Sequence, residues 1–303
     1  MKYQLYRVVP MIGVLVLSFA SNAIAQIFTN QIVGGQANIY GAARSGSAAT
    51  PAPGGSTDPN GNYGGVAAPG FTLTPGTNRI LTMTSVSGTV TFNDYNSPLP
   101  YYDADGGGSS SSVTSYQGIS GITFADRWGT LVGVFVNGPP AGFGDGSSGS
   151  SAPDLSYTAS DLALNSFAPE LNQSFFVGDG LTGDGTGTVQ QFHVPDTATE
   201  LFLGFSDGPN FHGAPGSYND NAGSLTVSFQ IVSEPTLIIN KLAPSQATLS
   251  WPTNADGFAL VTALSLPASS WNAVTNVPVV LGSSFSVTIP ATNTQQYFRL
   301  YHQ

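Results

Sequence analysis

The sequence predicts an all-β protein, one β-sandwich followed by a second, smaller one, on three observations. Glycine and proline supply 37 and 21 of the 303 residues, far more turn-forming residue than long helices tolerate. Charged residues make up only 8% of the chain. The wet face of an amphipathic helix needs many Glu, Lys and Arg. Hydrophobic residues reach 41%, enough for a packed core rather than a polar chain held open by net charge. Many short strands joined by Gly, Pro, Ser and Asn turns satisfy all three.

Taken in order, residues 1–25 read as a secretory signal peptide. Lys2 and Arg7 give the positive start, Met11 to Ala20 the apolar core, and Ala23-Ile24-Ala25 the small-x-small cleavage pattern. The alternative is an uncleaved anchor, but the apolar run is about half of the roughly 20 residues that a span needs. The expectation is a secreted protein, extracellular or at the cell surface, bathed in calcium in many environments. Without the two leader cations, five basic residues face 17 acidic ones, a net charge near −12. Such a surface repels phosphate backbones and excludes nucleic acid as a partner. Cysteine is absent, which excludes disulfides and Cys-based zinc or redox chemistry.

Gly41 to Gly70 is a Gly/Ala/Ser/Pro tract with little periodicity, whose order the sequence does not reveal. Arg79 to Phe92 alternates and is rich in β-branched residues, which predicts a long strand or a bent pair. Thr130 to Val136 predicts a buried strand. Val189 to Val194, Glu200 to Phe205 and Gly223 to Ile231 predict three more. Glu234-Pro235 looks like a joint, so the expected division is 26–233 and 234–303. After it, strands are expected at Thr236 to Lys241, Ala247 to Trp251, Gly257 to Leu264, Ser284 to Ile289 and Gln295 to Tyr301.

The stretch with most chemistry is Leu201 to Phe229. A strand enters a loop at Asp207, the loop ends in Asn219-Asp220-Asn221, and a strand leaves it. Calcium takes six to eight oxygens from carboxylates, amides and carbonyls. An ordinary Asn/Asp/Gly hairpin has the same composition, because these residues dominate turns. Two other loops are weaker candidates. Asp103-Ala-Asp105-Gly-Gly is half of a calcium-loop pattern with no late Glu, and reads as a flexible loop or an outer ligand. Gly178 to Gly187 is neither a Walker loop nor a dinucleotide fingerprint, and reads as turns.

No enzyme is expected. His193, His212 and His302 are scattered, and there is neither a Gly-x-Ser-x-Gly elbow nor a His-Glu-x-x-His helix. With glutamate only at 170, 200 and 234, a glycosidase pair would need Asp residues such as Asp154 and Asp161, which nothing places across a cleft.

From about Ile80 to Phe229 the chain resembles the bacterial calcium-dependent, galactose-binding lectins, which are small two-sheet sandwiches. The residues that carry this are Val86-Ser-Gly-Thr-Val-Thr-Phe92, Gly129-Thr-Leu-Val-Gly-Val134, and Phe205-Ser-Asp-Gly-Pro209 followed by Gly216-Ser-Tyr-Asn-Asp-Asn-Ala-Gly-Ser224. Relative to that loop, Asn210 to Pro215 looks like an insertion. The same region also resembles a group of exported bacterial proteins of unknown role. The lectin resemblance implies Ca2+ held by the side chains of Asp207, Asp220 and Asn221 and by the backbone carbonyls of Ser217 and Phe92. It also implies a carbohydrate partner, glycan or polysaccharide, that bonds the ion through two vicinal hydroxyls. The family's His-containing wall has no match in Ser111 to Gly118, where Tyr116 and Gln117, or Phe211 and His212 of the insertion, stand as substitutes. The alternative is a structural surface or matrix protein in which calcium only stiffens the loop.

The C-terminal unit resembles a short β module that ends many large secreted bacterial proteins. Leu249-Ser-Trp-Pro252, Trp271-Asn-Ala-Val274 and Phe298-Arg-Leu300 carry the likeness, which implies attachment or sorting. Trp251 and Trp271 are either core residues or an aromatic platform for sugar.

Overall fold

A computed structural model describes residues 6–7, 25–55, 63–92, 100–233, 235–243, 245–253, 255, 258–266, 268, 270–291 and 295–302. The predicted leader thus lies outside the described residues except for Tyr6, Arg7 and Ala25, and so does Glu234 of the predicted joint. The chain is all-β and forms two compact units. One comprises Ala25–Val232, the other Ser233–Gln303 together with Met1–Ile24.

In the larger unit two sheets face each other. The first runs Ser166–Phe167, Gln191–Val194, Arg79–Phe92, Asn221–Ser233, Gln26–Gly34. The second runs Ser174–Phe176, Val132–Val136, Glu200–Gly204, Gly70–Thr72, antiparallel throughout. Period-2 alternation sends one face of each strand inward. Val132–Val136 is buried at every position, as its unbroken apolar run requires. Phenylalanines close the gap between the sheets. Phe71 of the second meets Phe229 of the first edge-on at 5.1 Å, and Phe175 meets Phe192 at 5.7 Å. Such ring pairs add about 0.5–1.5 kcal/mol each beyond the area they bury.

A third sheet runs Leu155–Tyr157, Ile122–Phe124, Ser111–Val113, His212–Gly213. Its last strand belongs to the 210–215 segment and docks parallel to Ser112 and Val113. The Gly178 to Gly187 stretch holds part of a short hairpin, Leu181–Gly183 against Thr186–Val189.

The described part of the Gly/Ala/Ser/Pro tract is packed, not loose. Two short 3-10 turns, Ile39–Gly41 and Gly46–Ala49, bury Ile39, Tyr40, Ala48 and Ala49. Asn38, fully buried, pins the tract from within: its side-chain nitrogen donates to the carbonyls of Pro51 at 2.8 Å and Gly64 at 3.0 Å. Small residues are required because backbones touch. A Cβ on Gly64 would stand 1.9 Å from the carbonyl oxygen of Thr50.

The smaller unit is a second sandwich. One sheet runs Ile238–Ala243, Gln246–Pro252, Ser284–Pro290, Val279–Leu281; the other runs Tyr6–Arg7, Tyr297–His302, Phe258–Ala263, Asn272–Ala273. Leu249, Trp251, Val287, Ile289, Leu260 and Phe298 form its core. Trp251 is therefore a core residue, while Trp271 carries the Arg299 guanidinium 4.3 Å above its ring.

The tract's packing gives a test. Gly64→Ala should cost about 1–3 kcal/mol, since backbone must move to admit the methyl group. Gly144→Ala, where nothing stands within 4 Å, should be neutral or stabilising by up to about 1 kcal/mol. Urea denaturation of both variants checks the contrast, and equal stabilities would contradict the packing described.

Candidate functional site

The loop between Glu200–Gly204 and Asn221–Ser233 leaves one sheet and enters the other, so both its ends are rigidly held. Its floor is the N-terminal tract. The Gly54 amide donates to the Pro215 carbonyl at 2.9 Å, Ser217 to Gly55 at 2.9 Å, and Tyr218 to Tyr63 at 3.1 Å. Gly216 permits this approach, because a Cβ there would meet the Gly55 oxygen at 2.3 Å. Tyr218, wholly buried, is the internal post. Its hydroxyl donates to the Phe205 carbonyl at 2.9 Å and accepts the Asp207 amide at 3.2 Å.

Asp207 and Asn221, 14 residues apart, are brought together. The Asn221 Nδ2 donates to Asp207 Oδ2 at 2.9 Å and to the Gly35 carbonyl at 3.0 Å. Asp207 Oδ1 accepts the Gly208 amide at 2.7 Å. Both side chains are nearly sealed, with Asp207 2% and Asn221 3% exposed. Asn221 Oδ1 is buried with no hydrogen-bond partner. Such an orphaned acceptor costs about 1–3 kcal/mol unless something else meets it. Among the described residues no cation is within ion-pair distance of Asp207, and burial pushes its carboxyl up to about 7, helped by the nearby Asp220 charge. An orphaned amide oxygen beside a desolvated carboxylate, with a second carboxylate close by, is a donor set that fits a hard divalent cation.

The other expected residues fall around this pair. Asp220 is half-buried and closes a short turn that begins at Ser217. Ser217 is left-handed, with φ of +65°, and its carbonyl accepts the Asp220 amide at 3.4 Å. Phe92 ends its strand with a buried ring 5.3 Å from that of Phe205, which brings it beside the loop entry.

Of the four residues expected to wall a sugar, two lie on the 210–215 segment. Phe211 stacks on Trp128, centroids 4.3 Å apart and planes 10° from parallel. It does so with φ of +62°, next to Asn210 at +53°. A left-handed phenylalanine is strained. His212 is exposed beside Ser112. Tyr116 donates its hydroxyl to the Gly146 carbonyl at 3.0 Å. Gln117 departs from expectation. It is 1% exposed, its Nε2 donates to the Ala48 carbonyl at 2.9 Å, and its Oε1 accepts the Gly146 amide at 2.9 Å. Both ends of its amide are engaged, so it is an internal brace and no sugar ligand.

Trp128 was not singled out by sequence, since a lone tryptophan in a loop carries no spacing signal. Of a second acidic centre the sequence showed Asp103 and Asp105 but not Asp184. Asp103, Asp105 and Asp184 bring carboxylate oxygens within 4.8 Å of one another. The Asp103–Asp105 segment is thereby tied to the distant glycine hairpin rather than loose. The Asp179 amide donates to Asp105 Oδ1 at 3.0 Å, and Asp179 in turn accepts the Leu181 and Gly185 amides. Burial, with the Asp179 charge adding to it, pushes Asp105 up to about 6, and burial also raises Asp103.

Compared with protein-family models, curated proteins and solved structures, the chain matches none.

The raised carboxyls predict the pH dependence of the metal-free protein. A carboxyl whose folded pKa exceeds its unfolded value near 4 favours the fold while protonated, and that stabilisation is lost as pH rises through the folded pKa. For Asp105 and Asp207 the window runs from about pH 4 to about pH 7. In chelator, Tm should fall across it. A flat or rising profile would contradict the burial of these two groups.

Proposed function

We propose that the protein is an exported, calcium-dependent carbohydrate-binding protein, lectin-like, with no catalytic role. The ion sits among Asp207, Asn221, Asp220 and the Ser217 and Phe92 carbonyls. The observation that carries this reading is the buried Asp207–Asn221 contact with its orphaned amide oxygen. A divalent cation would satisfy that oxygen and relieve the desolvated carboxylate at once. Asp220, the half-buried member, marks the side from which saccharide hydroxyls reach the ion, and carboxylates there accept hydroxyl protons. Export is supported by the leader pattern at residues 1–25.

The near-complete burial of Asp207 and Asn221 favours a second reading, in which calcium only clamps the loop onto its glycine floor and no sugar binds. The two readings separate cleanly. On both, a calcium concentration about 100-fold above Kd stabilises by about 2.7 kcal/mol, a Tm rise of about 5–10 °C in a unit of this size. Asp207→Asn removes that rise. Only the first reading predicts glycan-array retention that chelator abolishes. A calcium-induced Tm rise without retention establishes the clamp instead, and no rise at millimolar calcium removes the ion from both.

A further inference from the structure

Asp207 and Asn221 are sealed, so anything that reaches them must first displace a neighbour. The 209–215 segment lies against Asp207 through Gly208, whose amide meets Asp207 Oδ1. A Cβ on Gly208 would stand 2.8 Å from the Ala214 carbonyl oxygen and 3.3 Å from that of His212. On its outer side the segment is exposed at Asn210, His212 and Gly213. It therefore covers Gly208 from without and can lift toward solvent.

The segment is tied down at its ring, its edge and its end. The Phe211 ring stacks on Trp128 and also stands 6.5 Å from Phe92. The Gly213 carbonyl accepts the Thr114 amide at 2.7 Å, and the Pro215 carbonyl accepts the Gly54 amide at 2.9 Å. The backbone ties are hydrogen bonds that water replaces as the segment lifts. Against all of them works the segment's own backbone. Asn210 and Phe211 are left-handed in succession, with φ of +53° and +62°. Asn bears that conformation well, but a residue as large as Phe is strained in it. Lifting the segment relieves the strain. Gly213, with φ of +82° and nothing within 4 Å of its Cβ position, leaves room for the movement.

We infer that residues 209–215 form a strap, sprung by their left-handed backbone and latched by the Phe211–Trp128 stack, whose opening admits an ion to Asp207 and Asn221. The inference rests on the ion reading above. It gives a reason for a large apolar ring at a left-handed position: Gly would be unstrained there but would give up the stack. Uptake and release both pass through the open strap, so both rates scale with its opening while Kd holds. Phe211 thus sets how fast the ion comes and goes, not how tightly it is held.

Amide hydrogen exchange by NMR, on the full chain in chelator, reads the opening without any ion. Phe211→Ala should speed exchange of the Gly208 and Thr114 amides by about tenfold, while the amides of Val132–Val136 keep their protection. Phe211→Tyr, which keeps the ring, should stay near the parent. In calcium, stopped-flow mixing with a fluorescent chelator should show Phe211→Ala releasing the ion faster, with uptake faster by the same factor. Exchange that Phe211→Ala leaves alone, or speeds only together with Val132–Val136, overturns the strap. Faster exchange with unaltered calcium release overturns its role as the gate, and so does a release that speeds alone and weakens Kd. If calcium does not bind at all, the ion reading falls, and the exchange result decides by itself whether the strap opens.

Discussion

A carboxylate taken out of water must be compensated, and Asp207 is the place where this protein meets that requirement. Its two oxygens receive one backbone amide and one side-chain amide, both neutral, and burial still drives the carboxyl toward its protonated form. Neutral donors recover part of the lost hydration, but not the charge. Protonation or a bound cation are the two remaining ways out. With the Asn221 Nδ2 turned toward Asp207, a proton on that carboxyl leaves the Asn221 oxygen without a partner. On the proposed reading, a cation shared by both groups would remove both deficits.

The surroundings of that pair follow from the same constraint. Sealing a carboxylate requires backbone to approach backbone, and the N-terminal tract is built for that. Gly54, Gly55, Gly64 and Gly216 stand where any Cβ would strike a carbonyl oxygen or find a left-handed backbone. The low complexity of Gly41 to Gly70 thus has a packing cause. Asn38 and Tyr218 replace the side chains that the tract lacks, supplying the internal hydrogen bonds that hold it against the loop. Strain collects beside it, at Asn210, Phe211 and Ser217, all left-handed without being glycine. Phe211 offsets its share by stacking on Trp128.

What the sequence disclosed divides along physical lines. Arg79–Phe92, Val132–Val136, Glu200–Gly204 and most strands of the smaller unit were legible because their apolar alternation or unbroken burial is written locally. Gln26–Gly34 was missed, since it lies at a sheet edge with only Val33 buried and little alternation to detect. The Asp207 loop was legible through spacing and likeness, although its enclosure by residues some 150 positions earlier in the chain was not. Gln117 was misplaced because proximity in sequence to an expected wall says nothing about which way an amide turns. The Asp103, Asp105, Asp184 centre was legible only in part. Asp103 and Asp105 stood out as half of a calcium-loop pattern, whereas Asp184 lies far along the chain and joins them only through the turns at Gly178 to Gly187.

Two acidic centres in one unit make the location of any ion a sharp question. Anomalous diffraction from crystals of the protein grown in calcium answers it. The account predicts a peak about 2.3–2.6 Å from side-chain oxygens of Asp207 and Asn221, with the orphaned amide oxygen among its ligands. A peak confined to Asp103, Asp105 and Asp184, or none at all, would contradict it.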